Sequence, residues 1–419
     1  MSTIKAIKAR EVLDCHGLPT IQVLLWLQDG RSVIATAPNE YGYNNPLTTI
    51  LRDNDDQEFN GQGVKQAVLK INQEIGPQLI GKPVVSQGEI DKLLISLDGT
   101  VNKSRYGANS ILALSMAVLK AGALSVGLPL YRYIQQKYQL TELLSIPNCI
   151  YPLITGGDFG NDNLDFQEFE LIPASHAPFT RSLSMASSVK EKIKSVIKSK
   201  GGSVCTGPTG GLLPRMNSNA DVFELMLEAI KSTPFTFAQD LFFGLDISAA
   251  GIAAEDNYRL RDKPDRYSAK ELFELYKTLR EKYKTIYLED PFIDKDQKSW
   301  QALTLQMGAT TKIVADEIVL GNRDMLNQMI KEKQANSLSC KLLDKGTISE
   351  LLQMIKLVKS AEWTVVISEH SGETNDTFIS DFAVGVGADY VKLGSPNQGE
   401  RVVKYNRLIE INEELELAV

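Results

Sequence analysis

Between residues 242 and 395 the chain repeats one pattern: a short apolar run that ends in a charged residue. FFGLD closes on Asp246, TIYLED on Glu289 and Asp290, and KIVAD on Asp316. SLSCK closes on Lys341, TVVISEH on Glu369 and His370, and YVKL carries Lys392. The intervals between these ends are 43, 27, 25, 28 and 23 residues. Each leaves room for a loop, an amphipathic helix and the next strand. Repeated strand–helix units of this kind predict a parallel sheet, and their number predicts closure into a barrel. In such barrels the chemistry sits at the C-terminal ends of the strands, where these charges fall.

A chain of 419 residues is long for one domain, so two are expected. Hydrophobic residues at 43% and charged residues at 23% are ordinary for a globular protein. The net charge of -7, without a basic run, argues against nucleic acid. No apolar h-region opens the chain and no uncharged apolar stretch approaches membrane-spanning length, so the expectation is a cytoplasmic protein with no membrane partner. Cys15, Cys149, Cys205 and Cys340 are scattered and read as reduced thiols. With only His16, His176 and His370, there is little material for a histidine metal site or a Ser-His-Asp triad.

Residues 3–9, 20–27 and 32–38 read as strands, the last two joined by a turn centred on Asp29-Gly30. Residues 63–79, 87–96 and 107–126 have helical spacing, and Asn109 to Leu124 is apolar enough to be a buried helix. The N-terminal third therefore reads as a three-stranded meander with helices, a small α+β domain. Residues 220–232, 268–283, 348–361 and 402–415 read as amphipathic helices.

Asp246, Glu289 and Asp316 come from three separate strand ends. Converging carboxylates repel one another unless a cation lies between them, and an all-oxygen set favours Mg²⁺. Lys341 and Lys392 follow on the same rim. A lysine beside a divalent cation has a lowered pKa and can act as a base. That combination suits removal of a proton α to a carboxylate, with the metal holding the enolate. A solvated strand boundary explains any one of these charges, but not all five in order.

The chain also resembles the enolase family over nearly its whole length. The segments that carry the likeness are REVLDCHGLPT, LRD at 51–53, LDGTVNKSRYGANSILALSMA, DFQEFELIP, LDISAA, YLEDPF, VADE, SGET and VKYNRLIEINEEL. The resemblance implies a small N-terminal α+β domain over 1–138. It implies a C-terminal (β/α)8-type barrel with a ββαα start over 139–419. It implies that Asp246, Glu289 and Asp316 are the Mg²⁺ ligands and that Lys341 takes the α-proton. Lys392 is implied to contact the substrate carboxylate. Glu168, beside Gln167, matches a glutamate near the leaving hydroxyl, and Ser371 matches a phosphate-contacting serine. A homodimer is also implied, although the family's glutamate–arginine interface pair is replaced by Gln22 and Glu410.

The departures fall on the other side of the site. The family's S-G-A-S-T-G loop is replaced by Asn39-Glu40-Tyr41-Gly42-Tyr43-Asn44, which removes the serine that helps hold a second Mg²⁺. G-G-E-H becomes Gly156-Gly157-Asp158-Phe159, without its histidine. G-D-E-G-G becomes Gly207-Pro208-Thr209-Gly210-Gly211, and Thr209 cannot act as a general acid near neutral pH. In S-H-R-S-G-E-T the histidine becomes Glu369 and the phosphate-clamping arginine becomes His370. Another arginine is lost at His16. Losing a bidentate arginine and gaining Glu369 removes phosphate complementarity. One Mg²⁺ site is expected, and poor dehydration of 2-phosphoglycerate. Three histories remain open: a site repurposed for another small carboxylic acid, a non-catalytic binding protein, or a weak enolase. In the first, Glu369, His370 or Glu40 supplies new acid–base or recognition groups, and Thr209, Phe159 and Asp158 are substrate-binding candidates, with Phe159 filling the space of the missing histidine. Survival of all three metal ligands and both lysines favours that one.

Overall fold

The computed structural model describes residues 2–40, 45–160 and 164–417. Strands β1 (Ile4–Leu13), β2 (Pro19–Leu27) and β3 (Ser32–Thr36) form an antiparallel meander. Alternation in β2 buries Ile21, Val23, Leu25 and Leu27 against the helix Ala108–Val126. That helix is long and apolar enough to cross a membrane by length and composition, although Lys120 interrupts its apolar run. However, 78% of its apolar window is buried inside the protein, so it serves as the core of the small domain. The helical spacing at 63–79 resolves into Lys65–Lys70, a π-helical turn Ile71–Ile75 and Gly76–Leu79.

The barrel strands are β4 (Asn148–Thr155), β5 (Glu168–Pro173) and β6 (Leu241–Asp246), then, after a small hairpin of β7 (Ala253–Ala254) and β8 (Asn257–Tyr258), β9 (Thr285–Glu289), β10 (Lys312–Ala315), β11 (Ser337–Lys341), β12 (Thr364–Ser368) and β13 (Tyr390–Lys392). They close in the order β10-β11-β12-β13-β4-β5-β6-β9. Strand–helix alternation alone predicts a uniformly parallel barrel; instead β5 runs antiparallel to both β4 and β6. Among the described residues only the short 3₁₀ turn Gly157–Phe159 lies between β4 and β5, so the chain reverses between neighbours. Two helices, Phe179–Ser199 and Asn219–Lys231, then precede β6. This is the ββαα start that the resemblance implied. Side chains of Ile150, Ile172, Tyr287, Val314 and Val366 fill the barrel interior.

The small domain docks on the C-terminal rim of the barrel. Asn39 and Gly372 exchange backbone hydrogen bonds at 2.7 and 2.9 Å. Lys120 bridges to Asp376 at 2.6 Å, and Asp376 also accepts from the Thr36 amide. The loop bearing Glu40 is thereby held over the strand ends.

Candidate active site

Parallel pairing puts the strand ends in register. Asp246 pairs with Glu289 across β6 and β9, and Lys341 with Ser368 across β11 and β12. Ser368 in turn pairs with Lys392. The acids and lysines read from the sequence therefore meet on one rim. All three candidate metal ligands are buried.

Lys392 stands at the centre. Its Nζ lies 2.6 Å from Glu289 Oε2, 3.0 Å from Asp246 Oδ2, 3.5 Å from Glu168 Oε2 and 3.6 Å from Glu170 Oε1. Lys341 pairs with Asp316 at 2.6 Å. Burial alone would lower both lysine pKa values, but the surrounding carboxylates outweigh it and hold both well above the usual lysine range. The lowered lysine pKa expected from the sequence belongs to a lysine beside a divalent cation, whereas here the lysines face carboxylates. An ammonium cannot accept a proton, so Lys341 gains basicity only where Asp316 has another positive charge to meet.

Among the described residues, no three acids or histidines converge closely enough, as the side chains lie, to hold a metal ion. The lysines occupy the space between them. The donor chemistry nevertheless fits a hard cation. Glu289 Oε1 and Asp316 Oδ1 are buried without a hydrogen-bond partner, and such oxygens are costly to leave unsatisfied. Other contacts orient the set: Ser248 donates to Asp246 Oδ1 at 2.9 Å and Tyr287 to Glu289 Oε2 at 2.8 Å. Asp290, next to Glu289, accepts from the amides of Asp316 and Glu317 and fixes that loop.

A cavity of about 50 Å³ opens between the lysines and the facing loops, lined by Gln167, Glu168, Thr209, Asp246, Lys341, Lys392 and the segment Ser368 to Ser371. Glu40 and Phe159 cover it from the loops. Asp158 does not reach it; it lines a neighbouring groove of about 830 Å³ with Asp165, Gly251 and Arg259. The candidate loop residues Tyr41, Gly42, Tyr43 and Asn44 lie outside the described residues. Thr209 donates to Glu168 Oε1 at 2.7 Å. Burial pushes the Glu168 carboxyl up, while Lys392 pulls it back.

The rewritten residues pair with one another. His370 Nδ1 meets Glu40 Oε2 at 2.8 Å, and the Leu343 amide donates to His370 Nε2 at 3.1 Å. That amide leaves Nδ1 as the ring's donor to Glu40. Burial works against charge on the ring, but the Glu40 contact carries its pKa above the ordinary histidine value. Glu369 pairs with the fully buried Arg401, whose guanidinium also donates to the His370 and Ser371 carbonyls. Burial pushes the Glu369 carboxyl up to about 8 despite Arg401. His16 does not enter the cavity; its Nε2 reaches the Ser371 carbonyl at 3.0 Å.

Several participants were not read from the sequence. Arg401, Glu170 and Glu317 are among them, and Glu317 lines the cavity with its carboxyl pushed up to about 7 by burial. Glu317 stood within VADE, directly after a candidate ligand, and could have been flagged by position. Arg401 had no such signal, because it comes from the last helix, Gly399–Glu416.

Comparison with known proteins agrees with this architecture. The family profile described as enolase, N-terminal domain, matches residues 4–134, and the one described as enolase, C-terminal TIM barrel domain, matches residues 143–419. The enolase of Ehrlichia canis (strain Jake) is 36% identical over 416 residues, which cover 99% of this chain and 97% of that protein. The enolase of Natranaerobius thermophilus is 37% identical over 415 residues, covering 99% and 96%.

Proposed function

The chain belongs to the enolase family, and on that premise we propose that it is a Mg²⁺-dependent lyase acting on a small carboxylic acid other than 2-phosphoglycerate. One observation carries the substrate part of this reading. The acids and lysines needed to make an enolate are present together, whereas the charges on the facing loops are taken up in pairs, Glu40 with His370 and Glu369 with Arg401.

Mg²⁺ held by Asp246, Glu289 and Asp316 would supply positive charge for a developing enolate. Lys341 Nζ would remove the α-proton, and the Lys392 ammonium would meet a carboxylate. Glu168, oriented by Thr209, would be the acid for a leaving group on the opposite side. A phosphate arriving at the facing loops would meet the Glu40 carboxylate, and the buried Arg401 guanidinium there is already held by Glu369. The cavity is also small, which suits a compact acid.

A second reading, a binding protein without catalysis, draws on a different observation: Lys392 already satisfies Asp246 and Glu289. One experiment separates them. Solvent deuterium exchange at the α-carbon is followed for a panel of small carboxylic acids with Mg²⁺. Exchange that disappears in Lys341→Ala supports the enzyme. No exchange together with no Mg²⁺ binding supports the binding protein. Ordinary turnover of 2-phosphoglycerate would overturn the claim about substrate.

A further inference from the structure

Glu170 takes no part in the chemistry above, yet its surroundings are built around it. It follows Glu168 by two residues on β5, so both side chains share one face of the strand. It is fully buried, and neither carboxylate oxygen has a hydrogen-bond partner among the described residues. Burying a carboxyl group in this way is unfavourable unless a charge answers it. The charge present is Lys392 Nζ, 3.6 Å from Oε1. Space for the carboxylate comes from Gly244, its register partner on β6. A Cβ at Gly244 would stand 2.5 Å from Glu170 Oε2.

Four carboxylates therefore lie within 3.6 Å of one ammonium. Two of them, Asp246 and Glu289, are the proposed cation ligands. A third, Glu168, already accepts from Thr209. A divalent cation on Asp246 and Glu289 withdraws their oxygens from Lys392 and repels its ammonium. Of the four, Glu170 alone has both oxygens without a hydrogen bond among the described residues. We infer that Glu170 is a positioning residue, the reserve counter-ion that keeps the Lys392 ammonium in the site when Asp246 and Glu289 engage the cation. The inference rests on the reading of those two acids as metal ligands.

The test is calorimetric titration with MgCl₂ of the full chain and three variants, Glu170→Gln, Lys392→Met and the double variant, with melting temperatures to confirm folding. Glu170→Gln should weaken Mg²⁺ binding about tenfold, the scale on which a buried charge pair operates. In the Lys392→Met background the same substitution should change it less than about twofold, because no ammonium remains to be held. Equal weakening in both backgrounds would make Glu170 a general negative charge and overturn the inference, as would no change in either. If the unsubstituted protein binds no Mg²⁺, the metal reading fails first and takes this inference with it. Glu170→Met, of similar volume, makes the same comparison if the glutamine variant does not fold.

Discussion

The two sides of the barrel rim handle charge in opposite ways. On the side built from β6, β9, β10, β11 and β13, two lysines stand among an excess of acids. Buried oxygens of Glu289 and Asp316 lack partners there. On the facing side, from the Glu40 loop and the segment Glu369 to Glu373, opposite charges close on each other. Glu40 meets His370, Glu369 meets Arg401, and Glu373 meets Lys404 at 3.0 Å. A group whose charge is answered within the fold has little left for a ligand. The unanswered side can do chemistry. On the answered side His370, Arg401 and Lys404 already have their partners.

The sharpest way to break this comparison is to remove the base. Lys341→Ala should reduce α-deuterium exchange by about 10³-fold, the usual scale for a general base, in protein that circular dichroism shows to be folded. A loss of only a few-fold would move the chemistry to the facing side. Next in size is the response to metal. With Mg²⁺ at a hundred times its dissociation constant, the protein should gain about 2.7 kcal/mol of stability in chemical denaturation. Asp316→Asn should abolish that gain, and an undiminished gain would place the cation elsewhere.

Sequence reached these two sides unequally. Asp246, Glu289, Asp316, Lys341 and Lys392 were legible because each ends a short apolar run, and strand register converts that spacing into proximity. The antiparallel β5 was not legible from periodicity, since a buried strand of either direction reads as one apolar run. The helix Phe179–Ser199 was missed as well. Its buried stripe of Phe179, Ser182, Met185, Ala186, Val189 and Lys190 is diluted by serine and lysine. On the facing side the substitutions were visible but their pairing was not. Glu40 and His370 are 330 residues apart, and nothing local in either segment announces the other. Asp158 was assigned to the site as part of the segment Gly156 to Phe159 that replaces a family motif, but successive residues in the short turn Gly157–Phe159 face different cavities.

The Glu40–His370 contact offers a smaller effect with a definite pH dependence. The lowered Glu40 pKa means its contribution is complete above the ordinary carboxylate value of 4.5 and is lost as pH falls through the lowered one. Burial opposes this, and the His370 contact with Lys341 nearby overcomes it. The raised His370 pKa means its contribution is complete below 6.5 and is lost as pH rises through the raised one. The stability difference between the natural protein and Glu40→Gln should therefore peak between those values, at about 2 kcal/mol. It should shrink on both sides, as read by urea denaturation at stepped pH. The acid limb is the sharper test, because protonating His370 also disturbs the Leu343 contact. A pH-independent difference would reduce the pair to packing.

The smallest effect tests a side-chain contact between the two sides. Thr209 belongs to the rewritten set, yet its hydroxyl donates to Glu168, which belongs to the unanswered one. Removing a single neutral donor from a buried carboxylate is worth about 1 kcal/mol, or roughly fivefold in a rate that depends on it. Thr209→Val keeps the shape and removes the donor, so any lyase step that uses Glu168 should slow by about that factor. The α-deuterium exchange catalysed by Lys341 should remain within about twofold, because proton removal does not draw on Glu168. Both rates can be read in one sample, exchange by the loss of the α-proton signal and elimination by product formation. Equal slowing of both would show that Thr209 shapes the whole cavity, and the division of the rim into two sides would then be a division of charge alone.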